Sequence, residues 1–363
     1  MMKDIDLVFR TMFSELNQRC IDASFETAFS VAGRFVPVRV KDKIYWYFDI
    51  AREGKVQRSY VGPQTDPEIA RRVAEFNEIK GDFKARRKLV SVLTNQGGLP
   101  APDRFAGDVV EALANAGLFR LRGVLVGTVA FQCYAGLLGV RLPSTSMQTG
   151  DADLAQNHGI SSAVSDSLPP VLDVLRAVDP TFRDIPHQMD GRRSTSFINA
   201  SRYKVEFLTP NRGGEDLAGR PADMPALGGA AAQPLRFLDF LINEPVRSVM
   251  LHKGGIAVTV PAPERYAVHK LIVASRRKHD ANGVGKREKD VRQAALLAEA
   301  LALTRRQVDL AAAYAEAWQR GKAWREAITT GMSFLAEADR ERFRETIVAG
   351  LRDLGDEPAK YAI

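Results

Sequence analysis

Val124-Leu125-Val126-Gly127-Thr128 opens the stretch whose reading decides the fold; a helix-sized apolar segment follows to Leu138, and Thr149-Gly150-Asp151-Ala152-Asp153 completes it. Val124 to Val126 reads as the end of a short buried strand that begins near Leu121. Gly127-Thr128 lets the chain turn at once into a helix expected over Thr128 to Leu138, whose first free N–H groups can meet a phosphate. Glycine lets the backbone come close to such a ligand. A strand is expected from Met147 to Ala155. Asp151 and Asp153 sit two apart on it, so both carboxylates point to one face while Ala152 and Leu154 point to the other. Paired carboxylates make a hard-oxygen site suited to magnesium, which takes one or two carboxylates at about 2.0 to 2.1 Å and fills its remaining positions with water and phosphate.

A third acid follows on a later strand. Tyr203-Lys204-Val205-Glu206-Phe207-Leu208 alternates, with Tyr203, Val205 and Phe207 facing the core and Glu206 on the opposite face with Lys204, until Pro210 stops it. If that strand lies beside the one carrying Asp151 and Asp153, three carboxylates converge. Glu206 would then be within reach of a proton on a reacting hydroxyl.

Around this centre the chain divides into three units. Residues 1–95 hold a three-stranded meander (Phe35 to Val40, Ile44 to Phe48, Val56 to Val61, with turns at Lys41-Asp42-Lys43 and Glu53-Gly54-Lys55), then a basic helix from Glu68 to about Leu93 that Asp66-Pro67 starts and Gly81 interrupts. Thr94 to Pro102, rich in Gly and Pro, is a boundary. Residues 104–260 mix strands and helices: a helix from Asp108 to Ala116, a helical stretch from Ser161 to Ala177 broken at Pro169-Pro170, and a terminal hairpin of Val246 to Leu251 and Ile256 to Val260. Residues 261–363 are helical. Pro263-Glu264 starts one helix, Asp280 to Gly285 is a loop, and Thr304-Arg305-Arg306-Gln307 reads as a capping box opening another. The fold class is α+β.

With 363 residues, 45% hydrophobic and 26% charged, the composition is that of a soluble globular protein. No apolar run approaches the roughly 20 residues of a membrane span, and Met1 to Phe13 lacks a signal-type core, so a cytoplasmic protein is expected. Two cysteines, Cys20 and Cys133, exclude a disulfide framework, and the histidine spacings do not suit zinc. The net charge of +7 is uneven: from Arg265 to Arg325 there are 14 Lys and Arg against 6 acids. Such a concentration suits a polyanion such as a nucleoside triphosphate or RNA, and equally a solvated helical surface.

Gly-Thr at a helix start, Asp-x-Asp on the next strand and a lone acid on a later one resemble the DNA polymerase β type nucleotidyltransferase superfamily. Leu121 to Thr128, Thr149 to Asp153, Val205 to Pro210 and Pro263 to Lys270 are similar to a bacterial nucleotidyltransferase-like family of unestablished acceptor. The last segment also resembles the Pro-Glu-x(n)-Lys helix of AbiEii-type toxin nucleotidyltransferases. The resemblance covers about Leu118 to Ala294. It implies a nucleotidyltransferase fold, a mixed sheet flanked by helices, between an N-terminal meander unit and a C-terminal helical domain. It implies that Gly127, Thr128 and Lys270 contact the triphosphate of an NTP donor, and that Asp151, Asp153 and Glu206 are the catalytic acids holding two magnesium ions roughly 3.5 to 4 Å apart. This sequence has Thr128 where the superfamily often has Ser, and Glu206 where Asp is commoner. RNA, tRNA included, is the favoured acceptor, which would suit RNA modification or a toxin–antitoxin role. A small molecule or a protein hydroxyl is the enzymatic rival, and a non-catalytic nucleic-acid-binding regulator on an inert transferase fold is a different class of answer.

Blander readings compete at several positions. His269 and His158 read as packed histidines. Gly228-Gly229-Ala230-Ala231-Ala232 lacks the Lys-Ser/Thr of a P-loop and reads as close backbone packing. Tyr45, Trp46 and Tyr47 among Arg39, Lys43 and Arg58 suit stacked bases, though alternation puts Trp46 on the face opposite the two tyrosines.

Overall fold

A computed structural model describes residues 2–23, 33–40, 42–52, 55–143, 150–163, 166–211 and 219–363. Helix α1 (Leu7–Asp22) has no counterpart among the elements expected from sequence. Its signal is present all the same: Phe9, Phe13, Leu16 and Cys20 follow helical spacing, and the last three are buried. Strands β1 (Arg34–Val40), β2 (Lys43–Arg52) and β3 (Lys55–Pro63) form the expected antiparallel meander. Lys41 and the Glu53-Gly54 turn lie outside the described residues. Phe35 and Phe48 meet Phe76 of α2 (Pro67–Asn95) edge to face, with ring centres 5.1 and 5.7 Å away. The expected break at Gly81 does not occur. A Cβ there would meet nothing within 4 Å, so the helix bears only the propensity cost of an exposed glycine, about 1 kcal/mol.

The central unit begins with α3 (Arg104–Asn115), capped by Asp103, whose carboxylate accepts from the Ala106 N–H. Strand β4 (Val124–Val126) starts later than expected, because Arg122 turns with a φ of +65°. The helix expected over Thr128 to Leu138 is two short ones, α4 (Gly127–Phe131) and α5 (Tyr134–Leu138), separated at Gln132-Cys133. Strand β5 (Asp151–Ala155) carries the paired aspartates, and Met147 to Thr149 lie outside the described residues. The Ser161 to Ala177 stretch resolves into α6 (His158–Ala163) and α7 (Val171–Arg176), with Pro170 as the N-cap of α7 and 164–165 outside the described residues.

Next come β6 (Arg183–His187) and β7 (Asp190–Ile198), a hairpin whose polar run Asp190 to Ser196 hides it from pattern reading. Strands β8 (Lys204–Pro210), β9 (Ala222–Asp223) and β10 (Ala231–Leu235) complete a seven-stranded mixed sheet. β5 lies antiparallel to β4 and parallel to β8. The other edge of β8 pairs with β7 at Lys204 to Glu206, then with β10 from Leu208, so β7 parts from β8 just beyond Glu206. Ala152, Leu154, Val205 and Phe207 are at most 1% exposed on the core face. Gly228, with φ +52°, comes so near the Pro169 carbonyl that a Cβ would lie 2.1 Å from it, which is close backbone packing and not a phosphate cradle. Short α8 (Leu238–Leu241) precedes the antiparallel hairpin β11 (Val246–Met250) and β12 (Ile256–Val260). A second core joins Phe13, Leu16 and Cys20 of α1 and Val90 and Leu93 of α2 to Val249 and Leu251, so the N-terminal helices bury the outer side of this hairpin.

The remainder is helical: α9 (Pro263–Ser275), α10 (Ala281–Leu303), α11 (Gln307–Gln319), α12 (Lys322–Ser333) and α13 (Glu337–Asp353). Among the described residues no helix is long and apolar enough to cross a membrane. Pro263 stands in the first turn of α9, as expected. Two expectations fail at α10. The presumed loop from Asp280 is its first turn, with the Asp280 carboxylate accepting from the Gly283 N–H at 2.7 Å. Thr304 closes α10 instead of opening α11, because its hydroxyl donates back to the Ala300 carbonyl at 2.8 Å. Asp280→Ala should therefore cost about 1 kcal/mol in urea-induced unfolding, and Thr304→Ala less than about 0.5 kcal/mol. The reverse order would restore the capping box at Thr304.

Candidate active site

The site is assembled by strand register. Val126 stands opposite Asp153, Asp153 opposite Glu206, and Asp151 opposite Lys204, so the three acids and Lys204 share the sheet face that the core does not use. Gly127 follows directly. Its φ is +67°, and a Cβ on it would lie 2.4 Å from Oδ2 of Asp153, so both backbone and space demand glycine at the turn. Thr128 is buried beside it. The Lys204 ammonium donates to Oε1 of Glu206 at 2.7 Å.

Crowded carboxylates leave an electrostatic signature. The Asp153 pKa is pushed up to about 7, first by burial, then by the charges of Asp151 and Glu206; Lys270 and Lys204 oppose the rise without cancelling it. A face that gathers three carboxylates fits a divalent cation, and the all-oxygen donor set fits magnesium. The three acids are nevertheless more widely spread than Asp108, Glu111 and His252, whose ligand atoms all lie within 4.8 Å of one another. There the Lys253 ammonium sits 2.6 Å from Asp108 and 2.5 Å from Glu111 and supplies the positive charge itself. Sequence spacing could not associate these residues, which come from α3 and the β11–β12 turn.

Helices α9 and α10 form a second wall. Lys270, expected at phosphate, is buried and donates to Oδ1 of Asp290 at 2.6 Å, while Arg277 donates to Oδ2 at 2.7 Å. Burial works against the Lys270 charge, but Tyr266 and Asp290 more than offset it, and the ammonium holds its proton beyond the ordinary lysine range. Lys289, on α10 beside Asp290, has its pKa lowered by burial and by Lys270, and the charge of Asp151 acts against that shift. The Tyr266 hydroxyl donates to the Gly127 carbonyl at 2.9 Å, and the Lys270 ammonium stands 5.2 Å from the Tyr266 ring centre. Tyr266, Arg277, Lys289 and Asp290 are thus site neighbours that sequence reading passes over. One signal was available: Asp290 falls in register with Ala294, Leu297 and Leu301, the buried stripe of α10, where an acid needs a partner. His269 is a packed histidine, its pKa pushed down to about 3 by burial and then by Lys270, so it is neutral at physiological pH. Much of the basic excess after Arg265 is consumed internally, since Arg265 pairs with Glu316 and Arg306 with Asp309.

The raised Asp153 pKa has a consequence for stability. Below the ordinary value of 3.8 the carboxyl is protonated whether the chain is folded or unfolded. As pH rises from there to about 7, the unfolded chain releases a proton that the folded chain keeps, so folding stability falls through this window and the loss is complete above it. Asp153→Asn should accordingly melt at a higher temperature than the wild type at pH 8 with EDTA present, with the gap closing near pH 4. Equal midpoints at pH 8 would show that the carboxylate is not under this strain.

Two comparisons are empty: no curated protein and no solved structure matches the chain. A family model described as nucleotidyltransferase matches residues 104–319, a span that holds the Gly127 turn, all three acids and the α9–α10 wall. The chain belongs to the nucleotidyltransferase family.

Proposed function

We propose that this nucleotidyltransferase moves a nucleoside monophosphate from an NTP to an acceptor hydroxyl in the cytoplasm, with RNA as the acceptor. The observation that carries the reading is the register that sets Asp153 opposite Glu206, with Asp151 on the same face and the Gly127 turn at the adjoining strand end. Asp151, Asp153 and Glu206 would hold magnesium, which when bound would stabilise negative charge on the acceptor oxygen and on the departing pyrophosphate. Gly127 and Thr128 present the free N–H groups of a helix start to the donor's phosphates. Lys270, Arg277 and Lys289 line the same side, where their positive charge favours a triphosphate over a monophosphate. Glu206 is placed to accept the acceptor's proton once Lys204 releases it. Likeness to the AbiEii-type toxins supports a toxin role only through the Pro263 to Lys270 helix.

The N-terminal unit is the proposed acceptor platform. Its basic residues are not equivalent: Arg58 is committed to Asp49 through two hydrogen bonds of 2.6 and 2.7 Å, whereas Arg39 and Lys43 are exposed near the β1–β2 turn.

The direct test is incubation with each α-labelled NTP and magnesium, with total RNA or protein extract as acceptor, asking which fraction gains label. Asp151→Ala or Asp153→Ala should abolish transfer with the fold intact, because both lie on the sheet face opposite the buried Ala152 and Leu154. More than a few percent of activity in both variants would overturn the metal-ligand assignment. Glu206→Gln should still bind NTP yet lose turnover, and Lys204→Gln should be much milder; the opposite ranking would remove Glu206 from the site. Replacing Arg39 and Lys43 with alanine should weaken RNA binding and lower the slope of log affinity against log salt by about one per lost phosphate contact. An unchanged slope with normal transfer to RNA would move acceptor binding away from the meander.

A further inference from the structure

The carbonyl of Gly127 is held by a residue 139 positions away. The Tyr266 hydroxyl lies 2.9 Å from that carbonyl oxygen and 3.2 Å from Oε1 of Gln293. A hydroxyl has one proton, and the Gly127 carbonyl and Oε1 of Gln293 are both acceptors within its reach, the Gly127 carbonyl being the nearer. Burial raises the Tyr266 pKa to about 12, so the phenol is a donor throughout the neutral range.

A peptide group is planar, and its C=O and the following N–H point in opposite directions. Fixing the Gly127 carbonyl therefore fixes the Thr128 N–H. At a glycine with φ +67° the plane has no side chain to hold it, and the Tyr266 hydroxyl adds a hydrogen bond from outside α4 to the carbonyl of that helix's first residue. Filling the core does not require the hydroxyl. The Tyr266 ring packs on Phe131 and Tyr134 with centres 6.0 and 5.2 Å apart, as phenylalanine would also do, while the hydroxyl additionally meets the Lys270 ammonium.

We propose that Tyr266 is a positioning residue for the donor nucleotide: its hydroxyl sets the Gly127–Thr128 peptide plane and so aims the Thr128 N–H at the donor's phosphates. This rests on the nucleotidyltransferase reading of the site. It makes α9, through one hydrogen bond, the element that preorganises a turn at the end of β4.

The test compares Tyr266→Phe with Tyr134→Phe in the full-length protein. Tyr134 belongs to the same ring cluster, is fully buried, and gives its hydroxyl to the Pro261 carbonyl at 2.9 Å, away from the turn. The readouts are the affinity for mant-ATP and mant-GTP with magnesium, the thermal midpoint, and KM for the NTP in labelled transfer. Tyr266→Phe should weaken binding of whichever nucleotide the wild type takes by about three- to tenfold, the span of one neutral hydrogen bond, and raise KM by the same factor. Tyr134→Phe should lower the midpoint comparably and leave affinity unchanged. If Tyr266→Phe binds and transfers like the wild type, the positioning role is wrong and the function stands. If the wild type transfers label from none of the four NTPs, the function falls and this inference falls with it.

Discussion

Asp153 and Glu206 are direct neighbours across two parallel strands, with Asp151 one step away on the same face. Like charges placed in this way repel, and the repulsion grows as the surroundings exclude water. A chain left to minimise its own energy would not build such a face. That it is built, and that the Asp153 pKa rises toward neutrality in consequence, means that the hydrophobic side of the same strands overrides the repulsion. Ala152, Leu154, Val205 and Phe207 lock the register from below, and the carboxylates have no freedom to slip.

The protein neutralises its other acid clusters with close cations. Asp108 and Glu111 receive the Lys253 ammonium. Asp290, fully inside the helical wall, receives both Lys270 and Arg277, and despite burial its pKa is held below the usual carboxylate value. At the sheet face Glu206 takes the Lys204 ammonium at 2.7 Å, and the charge of Asp151 acts on Lys289 of α10. Lys270 and Arg277 are attached to Asp290, and the charges of Lys270 and Lys204 only partly offset the rise at Asp153. This separation of sign, acids on the sheet and bases on α9 and α10, suits a ligand that brings cations and phosphates together.

The turn at Gly127 is the hinge between the two walls. It belongs to β4 by chain, touches Asp153 by proximity, and is tied to α9 by Tyr266. Three demands meet in one residue: a left-handed backbone, no side chain, and a carbonyl turned toward the helical domain. Only the first two are demands for glycine as such.

Sequence alone carried the parts of this protein that depend on neighbours along the chain. Alternation put Asp151 and Asp153 on one face and Glu206 opposite its buried companions, because side-chain direction in a strand is a matter of counting by two. Glycine before threonine at a strand end gave the turn, and Pro263 gave the start of α9. Where two local signals competed, counting failed: Thr304 looks like a cap and bonds backwards, and Gln132-Cys133 breaks a helix that propensity would continue. What no local signal could supply was pairing. Sequence does not say that β8 lies beside β5 in the register Asp153 to Glu206, that Lys270 finds Asp290, that Tyr266 reaches Gly127, or that Lys253 fills the space between Asp108 and Glu111. Those contacts join residues 20 to 145 positions apart, and they exist because burying the two cores brings their elements together, after which each buried polar group must take whatever partner lies within reach.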